Sequence, residues 1–119
     1  MRDYEVEINE FSRAIKVNNV VYCSWLVHDK RCRISSILRR YGPKFRQIKY
    51  KMEDSRNGRC ALGVLFDYGK KLRVSEMRMP ALSGALLQYM NDKAGYSFKE
   101  IADWFEHEGN VDADEEYYT

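Results

Sequence analysis

No apolar run in this 119-residue chain approaches the roughly 20 residues that cross a bilayer, so no membrane-spanning helix is expected. Histidine is scarce, at two residues, and neither has an evident nucleophile beside it. A thiol–imidazole pair would need Cys60 to meet His28, which nothing in the spacing requires. The cysteines are Cys23, Cys32 and Cys60, an odd number at wide spacing, which makes a poor disulfide framework. Reduced thiols are the expectation. Gly58, Gly63 and Gly69 are not followed by the Gly-Lys-Ser/Thr element of a phosphate loop. The opening MRDYEVEINEF is charged and alternating, unlike a secretory or transit signal, so a cytoplasmic location is expected. No catalytic residues stand out, no cofactor is expected, and the chain reads as a non-enzyme.

What the chain does have is charge, unevenly placed. The net charge is only +2, yet residues 1–78 carry 18 basic and 9 acidic side chains, and residues 79–119 carry 2 basic and 9 acidic. From Glu100 onward there are eight acids and no Lys or Arg. The basic excess is densest between Lys30 and Lys51, which hold nine Lys or Arg and no acid.

Hydrophobic residues at 45% and charged residues at 32% fit a folded domain, and the length fits one of them. The expected division is a globular domain over 1–108 and a flexible acidic tail over 109–119. Tyr4, Val6 and Ile8 alternate with Asp3, Glu5 and Glu7, which predicts a strand with one buried face. "VVYCSWLV" (20–27) is β-branched and aromatic and suits a buried strand, with a buried helix as the alternative. Ile34, Leu38, Tyr41, Phe45, Ile48 and Met52 are spaced 4, 3, 4, 3, 4, one helical stripe interrupted by Gly42-Pro43. The preferred reading is two helices, 33–41 and 43–54; a strand over 46–53 before an Asn57-Gly58 turn is the alternative. "CALGVLFDY" (60–68) predicts an apolar helix stopped by Gly69, and Leu72 and Val74 a short strand. A helix opens at Pro80 and closes near Gly95. Ser97-Phe98-Lys99-Glu100 is a capping box, and the helix behind it buries Phe98, Ile101, Ala102 and Phe105.

"GRCALGVL" (58–65) followed by "LLQYMNDKAGYSFKEIADWFE" (86–106) resembles a family of small phage and bacterial proteins to which no reaction is assigned. The resemblance covers roughly 50 of the 119 residues. It implies a compact, mainly helical C-terminal unit, an Asn91-Asp92 turn between helices, and an origin on a mobile element. It implies no catalytic residues, and the basic segment lies outside the shared pattern.

The fold expected is α+β, a small N-terminal β unit followed by a mainly helical part. The candidate site is the basic face over 30–59, with Arg33, Arg39, Arg40, Lys44, Arg46, Lys49 and Lys51 projecting away from the apolar stripe toward nucleic acid. Guanidinium groups grip phosphate bidentately and lysines act as point charges. An acidic protein is the alternative partner. A solvated face paired with the chain's own acidic tail is the plain reading of the same residues. Cys23, His28, Cys32 and Cys60 form a Cys₃His set of zinc-binding chemistry, but no tight Cys-x₂-Cys knuckle is present, so core thiols are preferred. "GYSFKEIADWFE" also opens like a helix-turn-helix, but the acidic run after it would be repelled by phosphates. Glu100, Asp103 and Glu106 adjoin on one helix, where a solvated face is preferred over a cation site. Trp104 is expected to cover the core edge rather than anchor a partner.

Overall fold

The computed structural model describes residues 6–10, 13, 22–25, 30–79 and 81–109. His28 and the acidic run beyond Gly109 lie outside the described residues. The fold is α+β, as expected. Three strands, β1 (Tyr22–Trp25), β2 (Lys30–Arg33) and β5 (Met77–Arg78), form an antiparallel sheet in the order β2-β1-β5. Cys23 faces Cys32 across the ladder, and Trp25 pairs with Met77. Cys23 and Trp25 are buried and Ser24 between them is not, the alternation of a strand with one face on the core.

Residues 6–10 are helical, not the strand that alternation predicts. Ile8 is buried while Val6 is 43% exposed, so two residues that would share a strand face are separated by the helical rotation between them.

Helix α1 (Ile34–Tyr41) matches its apolar spacing and buries Ile34, Ile37 and Leu38. It packs between α2 (Ala61–Lys71) and α4 (Phe98–Trp104). The crossing with α4 is close: a Cβ at Gly42 would lie 2.9 Å from the Phe98 ring. The second helix expected over 43–54 does not form. After a 3₁₀ turn at Gly42–Lys44, strand β3 (Arg46–Gln47) pairs in parallel with β4 (Gly58–Arg59). The helix ends before Pro43 although the apolar spacing continues, and Met52, which would face inward, is 38% exposed. The strand alternative was nearer. Asn57 adopts φ 61° in a turn, and a lone antiparallel bridge joins Glu53 and Arg59.

Helix α2 begins at Cys60, whose Sγ accepts from Gly63 N–H at 3.3 Å. Cys60 is therefore a cap and not a residue inside the helix. Gly69 does not stop α2. A Cβ there would sit 2.4 Å from Trp25 Nε1, so the glycine admits the indole, which lies edge-on to Tyr68 at 5.5 Å. The stop comes at Arg73, which takes the left-handed φ of 57°. Leu72 and Val74 fall in this turn, and the strand expected there forms at Met77–Arg78 instead.

Helix α3 (Ala81–Gln88) runs into a π-helical turn, Tyr89–Lys93, and α4 into another, Phe105–Gly109. Both halves of the Ser97 capping box are made: Ser97 Oγ accepts from Glu100 N–H at 3.1 Å, and Glu100 Oε1 accepts from Ser97 N–H at 2.9 Å. Phe98, Ile101, Ala102 and Phe105 are buried as expected, with Trp104 half-buried against the core edge. No helix among the described residues is long and apolar enough to cross a membrane.

Candidate nucleic-acid interface

Burial of Ile34, Ile37 and Leu38 turns the opposite side of α1 outward, and Arg39 and Arg40 are both exposed there. Consecutive helical residues diverge by about 100°, so the two arginines leave in different directions. Arg39 points toward α4, where its guanidinium pairs with Asp103 and with Glu106 at 2.9 Å. Asp103 also receives Lys99 at 3.3 Å. Partial desolvation pushes the Asp103 carboxyl up, and Lys99 and Arg39 outweigh it, leaving it below the ordinary carboxylate value. Glu100, Asp103 and Glu106 therefore serve as cap and ion-pair partners.

Arg46 is exposed but paired with Asp54. Asp54 closes the 53–59 turn, its Oδ1 accepting from Arg56 N–H at 2.9 Å and Gly58 N–H at 2.7 Å. Desolvation alone would raise this carboxyl; the two backbone donors and Arg46 bring it below its usual value. Arg59, half-buried, lies 4.7 Å from the centre of the Phe45 ring and 3.4 Å from Asp67.

Arg40 and Lys44 fall on a different part of the surface, around Tyr41. Lys44 Nζ stands 5.0 Å from the centre of the Tyr41 ring, and Lys71 Nζ, from the end of α2, 5.6 Å from it. The two ammonium groups are therefore no more than about 11 Å apart, comparable with the ~8 Å screening length at physiological salt. Tyr41 leans on Tyr68 at 4.6 Å, and both rings line a shallow recess with Arg33 and Arg40. Among the described residues, no carboxylate pairs with Arg40, Lys44 or Lys71.

Lys49 and Lys51 form a third group on the loop between β3 and β4. Lys49 Nζ approaches Gly95, and Lys93 Nζ lies 5.5 Å from the Tyr50 ring. The seven basic residues singled out in the sequence are thus not one continuous face. Arg39 and Arg46 are held by carboxylates, Arg33, Arg40 and Lys44 gather near Tyr41, and Lys49 and Lys51 occupy the loop. Lys71 and Lys93 were missed. Lys70-Lys71 closing an apolar helix was the available signal for the first; nothing local pointed to Lys93.

The loop is tied to the rest of the fold by Asn91, which is 1% exposed. Its Oδ1 accepts from Gln47 Nε2 at 2.8 Å and Ala61 N–H at 3.0 Å. Its Nδ2 donates to Ile48 O and Asp92 Oδ1, both at 2.8 Å. Gln47 extends the network to Tyr96 O at 2.7 Å and to Phe98 N–H at 3.0 Å.

The thiols are placed for packing. Cys23 and Cys32 are opposed and buried, and burial, then the neighbouring Cys32, push the Cys23 thiol well up. Burial also raises Cys60, against the hydrogen bond from Gly63. The Cys₃His set is not assembled among the described residues, where no group of His, Cys, Asp and Glu is arranged to hold a metal; His28 lies outside them.

An open groove of about 650 Å³ runs between α1 and α4, floored by Leu38, Pro43, Phe45 and Phe98 and edged by Lys99 and Asp103. Compared with protein-family models, curated proteins and solved structures, the chain matches none.

Proposed function

We propose that this chain is a small non-enzymatic binding protein whose basic surface around Tyr41 contacts nucleic acid. The observation that carries the reading is the gathering of Arg40, Lys44 and Lys71 about one tyrosine pair with no carboxylate partner among the described residues. Lysines within about 11 Å of each other repel, and a cluster left uncompensated in this way favours a polyanion. The Tyr41 ring draws both ammonium groups toward it, so they are partly ordered before a phosphate arrives. Arg40, which lines a recess with Tyr41, supplies a flat, forked donor. The contacts are to phosphate, so binding is expected to be strong in low salt and weakly selective for sequence.

A gel shift across a salt series tests this. The wild-type chain should bind and lose affinity steeply as salt rises. Lys44→Ala with Lys71→Ala should weaken binding to every sequence alike and lower the salt slope by roughly 2, about one for each lost phosphate contact. No shift at low salt, or a slope untouched by the double substitution, refutes it.

The α1–α4 groove favours a second reading, a protein-interaction module. Its apolar floor with a charged edge suits a partner side chain, and binding there would depend little on salt.

A further inference from the structure

One large side chain contributes little to the packing of this fold. Tyr50 is 67% exposed, and its backbone is left-handed at φ 65°. Bulky residues rarely adopt that conformation, while Asn and Gly take it with less strain. Folding alone thus gives no reason for a ring at this position.

The backbone that carries the ring is firmly held. Ile48 N–H donates to Arg59 O at 3.0 Å, and Ile48 O accepts from Asn91 Nδ2 at 2.8 Å. Tyr50 N–H donates to Asp92 Oδ1 at 3.0 Å. Met52 O accepts from Cys60 N–H at 3.4 Å and lies so near Gly63 that a Cβ there would be 2.0 Å away. Every second residue across the tip is anchored, so the ring projects from a fixed support. A pre-organised contact loses less freedom on binding than a loose one.

The surroundings are cationic. Lys49 and Lys51 are exposed on either side in the chain, and Lys93 Nζ is 5.5 Å from the ring centre. Glu53 pairs with Lys70 at 3.7 Å, and Asp92 keeps its charge but turns Oδ1 to Tyr50 N–H and Asn91 Nδ2, which leaves the three lysines in excess.

We propose that Tyr50, with Lys49, Lys51 and Lys93, is a stacking platform for an unpaired base of single-stranded nucleic acid, the lysines holding the flanking phosphates. This deepens the nucleic-acid reading above and rests on it. An exposed phenol ring offers a π-face that any base can cover, whereas a duplex keeps its base faces within its own stack. A lipid surface calls for more apolar area than one ring beside Met52, itself 38% exposed.

The test is fluorescence anisotropy of the full chain with three labelled probes of about 20 nucleotides, a length that exceeds a typical single-strand site. They are an oligo-dT strand, a duplex, and an abasic strand with the same phosphates and no bases. The wild-type chain should bind oligo-dT about 10- to 100-fold more tightly than the abasic strand, the range that base–aromatic stacking supplies. Tyr50→Asn suits the left-handed backbone, so it should melt no lower than wild type, and it should bind both strands at the abasic level. Tyr50→Phe and Tyr50→Trp should keep the preference. If Tyr50→Asn binds oligo-dT as tightly as wild type, or loses the same factor on the abasic strand, the stacking role is wrong while the phosphate-binding surface stands. Failure to bind any probe at low salt overturns both. Capture on anionic phospholipid vesicles that Tyr50→Asn abolishes, with no preference among the strands, assigns the loop to lipid and overturns the proposal.

Discussion

Asn91→Ala should be among the most damaging polar substitutions in this protein. The amide makes four hydrogen bonds, and their partners differ in what remains to them after truncation. Gln47 Nε2 keeps Tyr96 O, and Asp92 Oδ1 keeps Tyr50 N–H. Ala61 N–H is in a fully buried residue at the first turn of α2, where no intrahelical acceptor exists for it. Ile48 O loses its amide donor in a half-buried setting. A stranded buried polar group costs about 1–3 kcal/mol, so two of them give a loss of roughly 3–4 kcal/mol. Against a typical total of 5–15 kcal/mol this is a large fraction, and it corresponds to a fall in Tm of roughly 10–15 °C for a domain this size. Urea titration followed by circular dichroism should show a lower midpoint at an unchanged slope. A loss below about 1 kcal/mol would mean that water replaces the amide at no cost and that Asn91 does not hold the loop to the fold. Asn91→Asp sharpens the test. The shape is kept, but the donor that faced Ile48 O and Asp92 becomes an acceptor. Ionisation of that buried carboxyl is disfavoured, so its folded pKa lies above its unfolded value near ~3.9. The penalty relative to wild type should therefore be full at pH 7 and shrink as the pH is lowered toward 4.

Two glycines should respond to alanine with opposite signs. Gly63→Ala drives a methyl to within 2.0 Å of the Met52 carbonyl, a backbone atom that cannot step aside, and should cost about 1–3 kcal/mol or more in a thermal melt. Gly84→Ala, inside α3, meets nothing closer than Met79 Sδ at 3.6 Å and should stabilise by about 0.4–1 kcal/mol. Acid should weaken the 53–59 turn. The Asp54 carboxyl is held below its ordinary value, so its contribution is present above the unfolded pKa near ~3.9 and is lost as the pH falls through the folded one. Melts from pH 7 to 2 should show the gap between wild type and Asp54→Asn closing below about pH 4, and a constant gap would refute the assignment.

Elements specified by neighbouring residues were legible in the chain. Ser97 and Glu100 are three apart, and their reciprocal cap needs nothing else. The 4-3 spacing from Ile34 to Tyr41 matches α1. Legibility ended where a short pattern fits two periods or where a residue answers to a distant partner. Tyr4, Val6 and Ile8 are too few to separate a strand from the helical backbone seen at 6–10. The apolar spacing carries on past Pro43 to Met52, although the chain has already left the helix. Gly69 looks like a terminator because its other use, close approach of Trp25 from 44 residues earlier, has no local trace. The same holds at the site. Arg39 and Arg40 are equivalent in sequence, but only Arg39 is met by Asp103, 64 residues on.

The division of the basic segment follows from how its two parts are built. On α1 the direction of each cation is set by helical rotation, so one arginine reaches the carboxylates of α4 and the next leaves on another side, at the recess that Tyr41 also lines. Past Pro43 no helix sets direction, and the side chains go where the loop's anchors place them. Those anchors are the Gln47–Asn91 network and the bond from Tyr50 N–H to Asp92. The polar hub that joins the loop to α2 and α4 is therefore also what aims Lys49, Tyr50 and Lys51 outward. A fold that needed only to close this loop would be served by Asn or Gly at the left-handed position. The tyrosine found there is anchored at its own backbone, has Lys93 over its ring and a lysine on either side in the chain, and suits the presenting role proposed for the loop.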